Sequence, residues 1–294
     1  MRTTRDRTLT LEQSALLVNN KKPKNSDSYP HQIRWKQRIL QIVVHLTPLA
    51  VILLLWEVGT GAFNIPAFIE PALVGKPSVI LQEVWRLLSS GSIFQHIFVT
   101  FQEAIIGLVL AMIGGVSLGI LLAYSPSGAK ITLPYVQIFN SLPRIALAPF
   151  FIVWFGIGLL SKVLLAALAA FFPIFFTTYQ GLQSIERELV SAFQIMGANR
   201  WQMLYMVVFP SVLSWVIAGT RTSLGMALVG ALVAEYIGST QGLGYLLMSA
   251  QGTLNVDQAW AILVVLAFIS VLLDWGVRVL EAYVLRWRPN PKEL

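Results

Sequence analysis

The sequence predicts an all-α integral membrane protein with six transmembrane helices. Three observations carry this. The chain is 56% hydrophobic and only 12% charged, whereas a soluble domain carries about 25% charged residues. Its mean hydropathy is +0.69. Its apolar residues also collect in runs that reach the length of about 20 residues a helix needs to cross a bilayer. Composition excludes other classes. There is no cysteine, so neither disulfides nor thiolate metal sites can form. His31, His45 and His96 have no metal-ligand spacing, and no metal is expected. The net charge is +7, but nine of the 21 Lys and Arg precede residue 40 without any DNA-binding pattern. They read as topology signals beside membrane lipid, with no nucleic-acid partner.

Taken in order, residues 1–38 form a basic tail without the long apolar run of a signal peptide. Its prolines, serines and lysines predict disorder. Residues 39–93 hold the first transmembrane helix, Ile39 to Trp56, with Thr47-Pro48 as its kink site, and then an external connection. Within that connection Val79, Ile80, Val84, Leu87 and Leu88 share one face of a helix expected on the membrane surface.

The second span, Ile97 to Tyr124, carries Gly115 and Gly119, a small-residue pair that admits a close neighbour helix. Glu103 lies near its start. Ser125–Lys130 is a short connection. The third span, Ile131 to Phe155, contains Pro134, Pro143, Arg144 and Pro149. The fourth, Lys162 to Thr178, includes Pro173. The fifth runs from Ser211 to Tyr236 with Arg221 and Glu235. A glycine-rich polar connection leads to the sixth, Ala259 to Tyr283, and residues 281–294 form a C-terminal tail.

Counting Lys and Arg sets the orientation. With the N-terminus inside, the tail's nine join Lys130, Arg187, Arg200, Arg286, Arg288 and Lys292 in the cytoplasm. Only Lys76, Arg86 and Lys162 fall outside. This asymmetry places both termini in the cytoplasm. It also puts residues 186–210, between the fourth and fifth spans, inside.

That stretch has its own order. Leu189, Ala192, Phe193 and Met196 recur at helical spacing. Gly197 can take the left-handed conformation that ends a helix, and Asn199 can cap the next one. Trp201, Leu204, Tyr205 and Val208 restart the apolar stripe, and Pro210 opens the fifth span. The result is a helix, a sharp turn and a helix, shaped to press into a groove on a cytoplasmic partner. The chain lacks a phosphate-binding glycine loop and any nucleophile–base or paired-carboxylate constellation. It is not expected to be an enzyme.

The 186–210 stretch resembles the cytoplasmic "EAA" loop of permease subunits of binding-protein-dependent ABC importers. Ser191-Ala192-Phe193, Gly197 and Val207-Val208-Phe209-Pro210 fit its spacing without a gap; Ser191 replaces the acidic residue. Ser141 to Pro149, Phe150 to Gly158, Ala218 to Arg221, Ala234 to Gly238 and Gly242 to Tyr245 are similar to the nitrate/sulfonate/taurine-type branch. The likeness covers residues 94–280. It implies a type I ABC importer permease fold in a bacterial inner membrane. It also implies two permease copies (a homodimer), two ABC ATPase subunits holding ATP and magnesium, and an external solute-binding protein. This chain itself would hold no cofactor.

By that resemblance Ser191, Ala192, Phe193, Gly197, Ala198, Asn199, Arg200, Trp201 and Pro210 couple to the ATPase. Pro143, Arg144, Pro149 and Arg221 are assigned to the translocation path. Three prolines in one span free carbonyls that must face protein or water. Arg144 either offers positive charge to an anion or pairs with a carboxylate or an interface. Arg221 reads more as an interface arginine. Glu235 is expected either to meet the external binding protein or to cap the glycine loop, the structural role being favoured, and Glu103 and Asp274 to pair with arginines. Sulfonate, taurine or nitrate is the favoured solute; a thiamine-precursor pyrimidine, riboflavin or bicarbonate is the alternative. A secondary transporter or channel is the other class, against which stands the lack of an inverted repeat.

Overall fold

Helices account for all regular secondary structure among the described residues of this computed structural model, which are residue 44 and residues 47–61, 67–68, 70–185 and 187–286. The predicted tail at 1–38 and residues 287–294 lie outside them. The chain divides into two units, 1–56 and 57–294. In the first, the described part of the predicted first span is an apolar helix beginning at Thr47. The second unit holds everything discussed below.

Among the described residues four helices are long and apolar enough to cross a membrane: Ser92–Ala123, Leu159–Gln183, Trp201–Ile237 and Val256–Val284. They correspond to the predicted second, fourth, fifth and sixth spans, with shifted ends; the fifth begins ten residues earlier, at Trp201 rather than Ser211. Counting the bent pair Pro126–Ser141 and Arg144–Phe155 as one span makes five. The helix Leu159–Gln183 lies between Ser92–Ala123 and Phe209–Ile237 and packs along both. Small residues make this possible. A Cβ at Gly115 would stand 3.1 Å from the Phe171 carbonyl, and one at Gly230 would stand 2.8 Å from Ala166 Cα. Backbones therefore approach where membrane packing depends on close van der Waals contact. Ala104, Ala166, Ile174, Leu224 and Ala231 fill the shared core.

The third span, in which three prolines were expected to disturb the helix, is broken into two pieces. A helix runs Pro126–Ser141, so most of the expected 125–130 connection is already helical. Pro143 then denies its N–H and bars helical geometry at Leu142, which is extended. A 3₁₀ turn, Arg144–Leu147, and a second helix, Ala148–Phe155, follow at 85° to the first.

The helix predicted between the first and second spans forms, Pro77–Ser89, and packs on the sixth span with Ile80 and Leu87 buried. Glu57 accepts hydrogen bonds from the Ser78 N–H at 3.0 Å and from Ser78 Oγ at 2.9 Å. Asp257 accepts from the Lys76 N–H at 2.9 Å. Two carboxylates thus occupy the positive end of that helix. The glycine-rich connection before the sixth span contains a helix of its own, Leu243–Gly252.

Candidate functional site

The stretch between the fourth and fifth spans forms from local rules. Arg187–Ile195 is a helix, and none of its residues from Glu188 to Ile195 is buried. Gly197 takes φ +77°. Its N–H donates to the Gln194 carbonyl at 3.0 Å, and the Ala198 N–H donates to Phe193 at 3.0 Å. These are the paired bonds of a Schellman end, which needs a left-handed residue at the glycine position. Asn199 Oδ1 then accepts from the Gln202 N–H at 2.8 Å, and Gln202 Oε1 accepts from the Asn199 N–H at 2.8 Å. This reciprocal pair is a capping box. Asn199 was expected as a cap; the spacing Asn-x-x-Gln was the signal for its partner.

The second helix is not a separate element. Arg200–Met203 continues through a π turn, Leu204–Val208, into Phe209–Ile237. Pro210 therefore sits inside a continuous helix rather than opening a new span. It offers no N–H to Met206, and its ring crowds that carbonyl. The preceding backbone widens to an i→i+5 bond, Phe209 N–H to Leu204 O. Ser191, Ala192, Gly197, Asn199 and Trp201 are exposed, while Phe193 and Ala198 are half-buried. Grooves form where Trp201, Leu204 and Val208 meet Tyr124 of the second span.

Within the spans, Arg144 is the centre. It lines a cavity of about 240 Å³ with Asn140, Ile145, Leu165, Ala169, Met226, Val229 and Val233. The third, fourth and fifth spans all contribute. Its guanidinium lies over the Phe172 ring, 5.1 Å from the centroid. Nη2 donates to Asn140 Oδ1 at 2.5 Å and to the Asn140 carbonyl at 3.3 Å; Nη1 donates to the Ala169 carbonyl at 3.3 Å. Among the described residues no carboxylate pairs with it. Asn140, four residues earlier, was missed by the sequence reading, although that spacing places both on one helical face. Pro143 stands at the bend and Pro149 in the first turn of the second half-helix.

Arg221 does not join this cavity. Its Nε donates to Asp274 Oδ1 at 2.9 Å, tying the fifth span to the sixth, and Asp274 also receives Arg278. The expectation that Asp274 pairs with arginine is met. Glu103 does otherwise: its Oε1 lies 3.1 Å from Lys162 Nζ. Lys162, assigned to an outer connection by charge counting, is instead 6% exposed inside the fourth-span helix.

Lys162 belongs to a buried polar cluster. Its Nζ donates to Ser239 Oγ at 2.6 Å. Glu235 Oε1 accepts from Thr100 Oγ1 at 2.7 Å, and Oε2 accepts from the Gly244 N–H at 2.7 Å. The Leu243 N–H donates to Thr100 Oγ1 at 2.8 Å, and the Gly242 N–H to His96 Nδ1 at 3.0 Å. Glu235 thus caps the glycine loop, the structural one of its two expected roles. The cluster as a whole was missed, though His96, Thr100 and Glu103 recur at spacings of four and three on one helical face.

Comparison with known proteins fits this architecture. The family model "Binding-protein-dependent transport system inner membrane component" matches residues 115–286. The chain is 37% identical over 242 residues to the riboflavin transport system permease protein RibX of Chloroflexus aurantiacus, covering 82% of this chain and 89% of that one. It is 29% identical over 270 residues to the taurine transport system permease protein TauC of Escherichia coli K12, covering 90% and 96%. A chain of the MetNI methionine ABC transporter, solved in inward-facing conformations, superposes with a TM-score of 0.56 at 22% identity. That match covers 67% of this chain and 96% of that chain, and supports the fold. The chain belongs to the family of binding-protein-dependent transport system inner membrane components, and is a multi-pass permease subunit of an ABC importer.

Proposed function

We propose that this permease carries a small anion of the sulfonate, taurine or nitrate class, released by an external binding protein into a path between two copies of the chain. The observation behind this reading is Arg144. It is a permanently charged group in a largely apolar cavity between three spans, and no described carboxylate neutralises it. An intramembrane charge kept under such conditions marks a solute path by default. The Arg221–Asp274–Arg278 group adds a second positive surface on the fifth and sixth spans. Pro143 and Pro149 shape the bend that presents Arg144.

In this reading ATPase subunits, holding ATP and magnesium, seat on the exposed 187–203 helix and turn. The π turn joins that seat directly to the fifth span, so a push on Trp201 reaches the cavity wall at Met226 through one continuous helix. Both termini are then cytoplasmic.

The first test is purification of the tagged chain in mild detergent. An ATPase at one-to-one stoichiometry, lost when residues 188–205 are disrupted, supports the coupling assignment. The second is uptake by cells carrying the chain with its ATPase and binding protein. Taurine or alkanesulfonate uptake should collapse in Arg144→Gln. Undiminished anion uptake in that variant, or uptake of riboflavin alone by the parent chain, overturns the anion reading.

A further inference from the structure

The charges that join the fifth and sixth spans do not balance. Asp274 Oδ1 accepts from Arg221 Nε at 2.9 Å; Oδ2 accepts from Arg278 Nε at 2.8 Å and from its Nη2. Two guanidiniums therefore share one carboxylate, which leaves one net positive charge. Among the described residues no second carboxylate pairs with either arginine, and their side chains are 41% and 58% exposed. Depth makes this charge costly. At 1.5 Å per residue, Arg221 lies about 24 Å from the Ile237 end of its helix. Asp274 lies about 27 Å from the Val256 end of its own. Both values fall within the roughly 30 Å of a bilayer's hydrocarbon core. An uncompensated charge at such a depth calls for a counterion.

Donors for such a counterion are already in place. Arg221 engages Asp274 through Nε alone, so its Nη groups meet no acceptor among the described residues. Arg278 keeps Nη1 in the same way. Asp274, engaged at both oxygens, brings guanidiniums from two helices side by side. The planar fork of a guanidinium suits an oxyanion, which its parallel N–H groups can bind. The site is also open. Arg221, Gly225 and Val229 follow at four-residue spacing on an exposed face of the fifth span, while Leu224, Ala227 and Leu228 are buried. An added Cβ at Gly225 would meet nothing within 4 Å. Val229 lines the Arg144 cavity. This face therefore runs from that cavity to the arginine pair, about 12 Å along the helix.

We propose that Arg221 and Arg278 form a second binding site, for a singly charged oxyanion of sulfonate or phosphodiester type. Asp274 takes one edge of each guanidinium and offsets one of the two charges, which leaves the other edges and one charge for the ligand. That ligand has two chemical sources. One is a solute anion arriving along the face that carries Val229. The other is the phosphate of an anionic lipid headgroup. Both present the same group to the same donors. The assignment does not rest on Arg144, so it stands or falls separately from the solute cavity.

Arginine modification by phenylglyoxal tests the site. The full chain is modified in mild detergent with and without propanesulfonate, and in nanodiscs of phosphatidylglycerol or of phosphatidylcholine. Mass spectrometry then quantifies the peptides carrying Arg221 and Arg278. A bound oxyanion should slow modification of both arginines several-fold. Protection by propanesulfonate in detergent identifies the solute source; protection confined to the phosphatidylglycerol discs identifies the lipid. In Arg278→Gln the remaining Arg221–Asp274 pair is neutral, and protection at Arg221 should fall several-fold. Arg278→Lys keeps the charge and should retain more of it. Protection should persist in Arg144→Gln, and its loss there would assign the effect to the cavity instead. Absence of protection in both arms, or undiminished protection of Arg221 in Arg278→Gln, overturns the proposal.

Discussion

Arg144 Nη1 donates to the carbonyl of Ala169 at 3.3 Å, and Ala169 is the residue whose helical partner is missing. Its bond would come from the N–H of residue 173, which is proline. The second acceptor, the Asn140 carbonyl, belongs to the last turn of the helix that ends at Ser141. One guanidinium therefore serves two carbonyls orphaned by two different breaks in the helical ladder.

This bond predicts an energetic coupling. Arg144→Gln should destabilise the chain, and by less when Pro173→Ala restores the missing donor. Hydrogen bonds in membrane proteins contribute about 0.6 kcal/mol on average and up to about 1.7. A double-mutant cycle by thermal unfolding in detergent should give a coupling within that range. Strict additivity would show that Pro173 does not create the acceptor Arg144 serves.

The Lys162–Glu103 pair should show the asymmetry of buried ions. Lys162→Met leaves Glu103 buried, with Oε2 already lacking a hydrogen-bond partner. A loss of about 3–5 kcal/mol is expected when one partner of a buried pair is removed. Lys162→Met/Glu103→Leu should be the milder variant despite carrying one more substitution. Melting temperatures in one detergent decide this, and a double variant less stable than Lys162→Met would refute it.

Gly197→Val should uncouple transport without preventing insertion. The left-handed φ of +77° is strained for a β-branched residue by about 1–3 kcal/mol. The surroundings are open, since no atom lies within 4 Å of the added Cβ. Only the turn geometry is affected. Reduced ATP-driven uptake at normal membrane abundance is the expected outcome, and normal uptake would contradict it.

Gly230→Leu should act by sterics instead. The Cβ alone would stand 2.8 Å from Ala166 Cα and 2.9 Å from the Leu165 carbonyl. Overpacking costs about 1–3 kcal/mol where neighbours can shift, and backbone atoms shift least. Loss of folded protein in fluorescence size-exclusion is expected, in contrast to Gly225→Leu, whose added Cβ meets nothing within 4 Å.

The sequence by itself determined what depends on neighbours along the chain. Apolar runs located the spans, because a helix satisfies its own backbone in lipid. Gly197 and Asn199 specified the turn between the fourth and fifth spans, because caps are formed by residues a few positions apart. The three prolines marked a disturbed third span. Only the tertiary structure decided how that disturbance resolves: an 85° break whose freed carbonyl groups meet Arg144. It likewise decided that Lys162 is buried beside Glu103, a partner 59 positions away, and that Arg221 turns to Asp274 rather than to the cavity. Charge counting could not foresee these pairings. A charged residue near a span end can face water, lipid or protein at similar local cost, and only the packed neighbours settle which.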